Sequence, residues 1–337
     1  MPKVKRIPLS VLDQSPICSG RTAADAVAET LELARCCEQW GYHRYWVSEH
    51  HATRGLAGCS PEVLLARLGA ETKSMRIGSG GVMLPHYSPY KVAENFKLLE
   101  TMYPGRIDLG IGRAPGTSPY IAAALAYGSN VGAEHFPQMV ADLDALLRDA
   151  PPPTPGLELA KAMPFVDPPP VLWMLGSSED SAGLAGKMGL PYSVAHFINP
   201  RIREDIFEIY RRQFTPGAGA GDPYACLTVF MICADSEVEA KKLARSRDLW
   251  FLKRGKSPYG TPFPSVEEAE RYTYSPQEEA YLLAHFHPSI AGTPDQVKEK
   301  LLIMAERFTA DEIMVVSITH DFAARRRSHQ LLAEAWR

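Results

Sequence analysis

Hydrophobic positions along the chain switch repeatedly between two periods. Residues 7–13 (IPLSVLD) form a short β-rich run, and residues 23–40 then place Val27, Leu31, Ala34, Cys37 and Trp40 at helical spacing. Gly41 ends that helix. The same exchange predicts further strands at 45–48, 76–83, 107–112, 171–175, 192–196, 225–232 and 312–317. Helices are expected from Ser60-Pro61-Glu62, at 88–102, 134–149, 178–188, 200–214 and 236–252, from Thr293, and at the end of the chain. Pro61 suits the first helical position, where no N–H is needed. Thr293 and Gln296 have capping-box spacing.

Eight strands, each followed by a helix, predict an α/β fold with a parallel sheet and crossover helices. Eight units suit a closed (β/α)8 TIM barrel better than an open doubly wound sheet. The reading is one domain over 1–337 with two interruptions. Residues 151–170 hold eight prolines and read as a linker or a surface wrap. Residues 254–290, rich in proline, glycine and aromatics, read as an insertion before the last βα unit. Its Tyr259, Phe263, Tyr272, Tyr274, Phe286 and His287 either line a pocket or pin the loop down.

Composition narrows the function classes. At 337 residues the chain suits one large barrel or two modest domains. A net charge of −3 and no long basic run argue against nucleic acid as the main partner. Arg325-Arg326-Arg327 reads as a solvated helix end. No apolar run approaches the ~18 residues of a membrane span. The apolar run near the N-terminus is short and broken by Asp13, so it reads as a strand rather than a signal peptide, and the expectation is a cytoplasmic protein. The six cysteines show neither a CxxC pair nor zinc spacing, so reduced structural thiols are expected.

In a barrel the chemistry lies at the C-terminal strand ends. There the sequence places Asp13-Gln14-Ser15, Glu49-His50-His51, Gly80-Gly81, Gly112-Arg113, Leu175-Gly176-Ser177-Ser178 and Ala195-His196. Gly176-Ser177-Ser178, between strand and helix, is either a phosphate cradle or a plain cap with Ser177 bonded to the N–H of Asp180. Glu179 and Asp180 oppose a phosphate unless they point outward, and Arg113 could supply the positive charge. Adjacent His50 and His51 face opposite ways on a strand, and no third ligand follows at a recognised spacing, so no metal site is expected. His50 could handle protons, and Glu49 could be buried in the barrel mouth. Gly80-Gly81 admits either a flat ring lying on the backbone or a simple bulge.

The runs RYWVSEHH, GSGGVMLPHYSPYKVAENFKLLETMYPGRIDLGIGRAPG, LGSSEDSAGLAGKMGLPYSVAHF and AGTPDQV together resemble the bacterial luciferase-like flavin-dependent monooxygenases. The resemblance covers roughly 7–200 and 290–318, and residues 78–116 are its most specific part. It implies an FMN-using barrel, usually a homodimer. Arg113 falls on a phosphate-binding arginine, and Leu175, Gly176, Ser177, Ser178 and Ser181 on the groups around the same phosphate. Gly80-Gly81 falls on a non-proline cis peptide beneath the flavin ring, and His50 on a histidine near the reacting flavin carbon. Gly112 stands where luciferase carries a cysteine, which points to the non-luminescent branch. The resemblance implies a two-component monooxygenase acting on a small organic substrate with O2 and with reduced FMN from a separate NAD(P)H:flavin reductase. Hydride transfer with the deazaflavin F420 and a non-catalytic flavin-binding protein are the alternatives.

Overall fold

Strand alternation decides the architecture. The computed structural model describes residues 6–114, 117–127, 132–217, 221–254, 257, 259–285 and 290–337, with backbone alone at 133, 254 and 285. Its strands are β1 (Leu9–Asp13), β2 (Arg44–Val47), β3 (Arg76–Met83), β4 (Ile107–Gly112), β5 (Val171–Gly176), β6 (Tyr192–Ala195), β7 (Ala225–Cys233), β8 (Ile290–Gly292) and β9 (Glu312–Val316). The order β6-β5-β4-β3-β2-β1-β9-β7 closes through a β6–β7 pairing, and every pairing is parallel. This is the (β/α)8 barrel with the eight expected strands. The extra strand β8 pairs only with the end of β7, outside the closed sheet.

The helices are α1 (Ala23–Trp40), α2 (Pro61–Glu71), α3 (Pro89–Met102), α4 (Pro119–Ala126), α5 (Phe136–Leu147), α6 (Glu179–Lys187), α7 (Ile206–Arg212), α8 (Glu237–Arg254), α9 (Val266–Arg271), α10 (Pro276–His285), α11 (Pro294–Arg307) and α12 (Phe322–Trp336). Gly41 closes α1 in the left-handed conformation at φ 85°, which glycine adopts without steric penalty. Pro61 and Pro89 occupy first turns, and Thr293 and Gln296 form the expected capping box. Alternate residues of each strand point to opposite faces. Val11, Tyr45, Ile77, Leu109, Leu172 and Val315 join the layer under the helices. Leu12, Trp46, Trp173, Cys226 and Met314 form a second cluster.

At the N-terminal ends of the strands the structure buries an ion network. The Arg44 guanidinium donates to Glu312 at 2.8 Å and to Asp108 at 2.6 Å, and Arg76 donates to the other Asp108 oxygen at 2.6 Å. Trp46 Nε1, Ser10 Oγ and the Tyr224 hydroxyl complete the set on the two carboxylates. Burial would raise the Asp108 carboxyl, but Arg44 and Arg76 more than offset it, so its pKa lies below the usual value. Arg44 stacks 4.7 Å from the Trp173 ring centroid.

Two sequence expectations are corrected, and two others are sharpened. Arg325 is not solvated: it is 1% exposed and paired with Asp13, because that face of α12 turns inward where the helix packs on α1, α11 and β7, while Arg326 and Arg327 pair with Glu32 and Asp235 at the surface. Helix α7 is shorter than 200–214, because residues 200–205 run through separate turns after Pro200. The insertion expected at 254–290 has structure of its own: α8 ends inside it, α9 and α10 lie within it, and β8 starts there. Of the two readings of the proline-rich stretch 151–170, the surface wrap holds. The buried Lys97 ammonium holds it by donating to the Ala162 carbonyl at 2.9 Å.

Candidate active site

A cavity of about 320 Å³ opens at the C-terminal ends of β2 to β5, and all ten residues expected from sequence line it. Gly80 and Gly81 come from β3, Gly112 and Arg113 from the end of β4, and Leu175, Gly176, Ser177, Ser178 and Ser181 from β5 and the start of α6. His50 follows β2.

One end of the cavity is built for an anion. Ser178, not Ser177, caps α6, accepting from the Ser181 N–H at 3.4 Å. The Ser181 hydroxyl donates to the Ser178 carbonyl at 2.7 Å and lies 2.8 Å from the Tyr192 hydroxyl. Asn199 secures the preceding residue by donating to the Ser177 carbonyl at 3.0 Å. A Cβ on Gly176 would meet Ser181 Oγ at 2.1 Å, so only glycine allows this turn to pack so closely. The first N–H groups of α6 and its positive dipole end therefore face the cavity side of a tightly held turn. Glu179 pairs outward with Arg203 at 3.3 Å, and neither it nor Asp180 lines the cavity. Arg113 is exposed and bonds to no other described residue. A guanidinium and a helix N-terminus thus serve one space, an arrangement that favours a phosphate.

The opposite wall is bare backbone. The Gly80–Gly81 peptide bond is cis, and the β3–β4 register shifts between Gly80 and Val82, so the bulge reading also holds. A Cβ on Gly80 would strike Leu12 at 2.5 Å, and one on Gly81 would strike the Gly110 carbonyl at 2.7 Å. A Cβ on Gly112 would meet nothing within 4 Å. A flat ring can lie on backbone that carries no side chain. Groups that attract an anion at one end and a side-chain-free wall fit a flavin or deazaflavin cofactor.

His50 is fixed by its neighbours: its backbone N–H donates to the Gly58 carbonyl at 2.8 Å, and its Nδ1 lies 3.1 Å from Ser48 Oγ. Glu49 is buried, 2% exposed, and holds the mouth together. It accepts from the Tyr87 hydroxyl at 2.7 Å and the Met83 N–H at 3.0 Å, and lies 2.6 Å from His51 Nε2. No group of three or more potential metal ligands occurs among the described residues. All six cysteines are free. No helix among the described residues is long and apolar enough to cross a membrane.

Two strand-end groups singled out in the sequence face elsewhere. Asp13 turns towards α12 to meet Arg325 and Tyr45, and the His196 ring packs edge-on against Phe308 with centroids 5.6 Å apart. Gln14, expected at the end of the first strand, borders both this cavity and a second one of about 510 Å³, and so do Phe197 and Ile198, which sequence reading missed. His50 stands on the same shared wall. Of the aromatics in 254–290, Tyr259 lines the second cavity. Phe263 is fully buried against Trp250, and Tyr272 packs on Tyr274. Phe286 and His287 lie outside the described residues. The segment closes over the mouth through backbone bonds from Phe263 to Ile17 and from Arg54 to Tyr259.

Comparison with known proteins identifies the family. The model of the luciferase-like monooxygenase family matches residues 8–311. The chain is 37% identical to the luciferase-like monooxygenase of Escherichia coli (strain K12) over 327 residues, 97% of this chain and 96% of that one. It is 36% identical to the N-acetyl-S-alkylcysteine monooxygenase of Bacillus subtilis (strain 168) over 332 residues, 98% of each. The crystal structure of apo-MsnO8 superposes with a TM-score of 0.88 at 38% identity, covering 98% of both chains. The chain belongs to the luciferase-like monooxygenase family.

Proposed function

We propose that this chain is a flavin-dependent monooxygenase that uses reduced FMN and O2 to oxygenate a small organic substrate. The observation that carries the reading is the single cavity joining the anion end at Arg113 and α6 to the bare glycine wall of β3. Arg113, Ser178, Ser181 and the first N–H groups of α6 would hold the phosphate. Gly80, Gly81 and Gly112 would leave room for the ring system, with Leu175 as an apolar contact. Bound reduced FMN supplies two electrons to O2, so that one oxygen atom enters the substrate and the other leaves as water.

The chain's own part is positioning, proton handling and exclusion of water. His50, beside Ser48, lines both cavities, and on this reading it would give or take the proton there. Residues 257 and 259–263 cover the mouth and restrict water. Under this reading a separate NAD(P)H:flavin reductase delivers the reduced FMN.

The test is anaerobic titration of the full chain with reduced FMN, reduced riboflavin and reduced F420. FMN is expected to bind at least about tenfold more tightly than riboflavin, because only FMN reaches the phosphate groups. Arg113→Ala should erase most of that difference while leaving riboflavin affinity unchanged. Binding of F420 without FMN would replace monooxygenation by deazaflavin hydride transfer. Equal affinity for FMN and riboflavin would remove the phosphate site from Arg113.

A further inference from the structure

Gln14 follows β1 on the face of Leu12, the face that turns into the barrel mouth, and it borders both cavities. Its backbone is held on either side. The Asp13 carbonyl accepts from the Ser48 N–H at 3.0 Å, the Ser15 N–H donates to Asp13 Oδ1 at 2.8 Å, and the Ser15 carbonyl accepts from the Ala57 N–H at 2.9 Å. The Gln14 side chain is half-buried, and its amide bonds to no described residue. A ligand that fills the cavity of about 510 Å³ shuts that amide off from solvent, and a buried amide without a partner is costly. Ligands that bring a hydrogen-bonding group to Gln14 are therefore favoured. The rest of the cavity presents no unanswered charge. Phe197, Trp250 and Phe251 give it aromatic walls, and no Asp or Glu lines it among the described residues. The charge of Arg247 is already engaged: the guanidinium stacks 4.0 Å from the Phe230 ring centroid and acts on Asp248.

We propose that Gln14 selects and orients a neutral aromatic substrate that carries a hydroxyl or carbonyl group at its flavin-facing end. An amide donates to a carbonyl through its N–H and accepts from a hydroxyl through its oxygen, so one side chain serves both. The substrate's rings lie among Phe197, Trp250 and Phe251. With its backbone pinned, Gln14 holds the polar group at the border of the two cavities, where His50 also stands, and the atom beside that group is the one presented for oxygenation. That last placement rests on the monooxygenase reading above. The preference for a hydrogen-bonding group does not, because it needs only the second cavity and Gln14.

The experiment measures binding of two shape-matched pairs to the full chain without flavin, by calorimetry and by tryptophan fluorescence. The pairs are acetophenone with α-methylstyrene and 4-ethylphenol with 4-ethyltoluene. A hydrocarbon leaves water more readily than its oxygenated partner, so the readout is the change in each pair's affinity ratio between parent and variant, from which the transfer from water cancels. Gln14→Met, of similar length and without the amide, should lower the ratio of oxygenated compound to hydrocarbon by about fivefold in both pairs. Gln14→Glu, whose ionised carboxylate accepts but cannot donate, should keep the preference for 4-ethylphenol and lose the one for acetophenone. A side chain that merely shaped the wall would move both pairs together. The melting temperature of each variant shows whether the barrel is intact, and should Gln14→Met not fold, the opposite response of the two pairs to Gln14→Glu decides. Ratios unchanged in Gln14→Met, or no binding of any of the four compounds, overturns the proposal. A fall in FMN affinity with both ratios unchanged assigns the amide to the flavin instead and overturns it as well. Failure of FMN to bind with the ratios shifting as expected would defeat the flavin reading and leave this one standing.

Discussion

The two ends of the barrel handle charge in opposite ways. At the N-terminal end, Arg44, Arg76, Asp108 and Glu312 are locked in mutual hydrogen bonds, with Ser10, Trp46 and Tyr224 using the remaining lone pairs. At the C-terminal end, Arg113 bonds to no described residue, Gly80 and Gly81 of β3 present bare backbone, and Gly112 at the end of β4 leaves open space where a side chain would be. The same strands thus end in a sealed, satisfied layer at one side and an open, unsatisfied one at the other. Unmet charge and missing side chains are what a ligand needs, so the difference locates function independently of any family resemblance.

The largest expected effect breaks the closed end. Arg44→Met leaves Asp108 and Glu312 buried with less positive charge, and removing one partner of a buried network costs about 3–5 kcal/mol. Denaturant unfolding should record that loss, with FMN affinity of the folded fraction little changed. A loss below about 1 kcal/mol would mean that the carboxylates reach water, and the contrast between the ends would fail.

At the open end the effect should appear in rate instead. His50→Ala is expected to lower turnover by about 10²-fold, the usual scale for a lost acid–base group, with stability within about 0.5 kcal/mol of the parent. Flavin should still bind. A parallel fall in stability would place His50 with the structural residues, and unchanged turnover would remove its proton role.

Acid should act on the packed flank of the barrel. His329 of α12 is fully buried, and burial together with the nearby Arg325 pushes its pKa down to about 3, against the pull of Asp13. In the unfolded chain it takes up its proton near the ordinary value of 6.5. Stability is therefore full above 6.5 and falls as the pH drops towards 3, by about 1.4 kcal/mol per unit from this group. Unfolding curves between pH 6.5 and 4.5 should show that slope, and His329→Leu should flatten it. Equal slopes in the two proteins would mean that the imidazole ionises in place.

How much of this was visible beforehand follows the same division. The glycines, the helix-opening serines, Arg113 and His50 could be read from sequence because each lies next to a strand end whose position the alternation fixes. The ion pairs could not. Asp13 meets Arg325 across nearly the whole chain, and a triplet of arginines carries no local sign of which one turns inward. The 254–290 segment was legible as an interruption, while α9 and α10 were obscured by its prolines and glycines. Glu49 was expected to be buried, but its bonds to Tyr87 and Met83 depend on where β3 ends relative to β2.

The smallest expected effect probes the boundary between the two kinds of glycine. Gly110 and Gly112 lie two residues apart on β4, yet a Cβ on Gly110 would meet the Ser79 carbonyl at 2.2 Å, whereas one on Gly112 would meet nothing within 4 Å. Gly112 lines the cavity and Gly110 does not. Gly112→Ala should leave stability unchanged or raise it by up to about 1 kcal/mol, because alanine restricts the unfolded chain and the folded strand has room for it. The added methyl can project only into open space, so FMN affinity should fall by a few-fold while stability holds. Gly110→Ala should do the reverse, lowering stability through its clash with backbone that cannot move aside. Loss of stability in Gly112→Ala would mean that the wall of β4 is packed rather than open, and the flat surface assigned to the flavin would lose its support at that point.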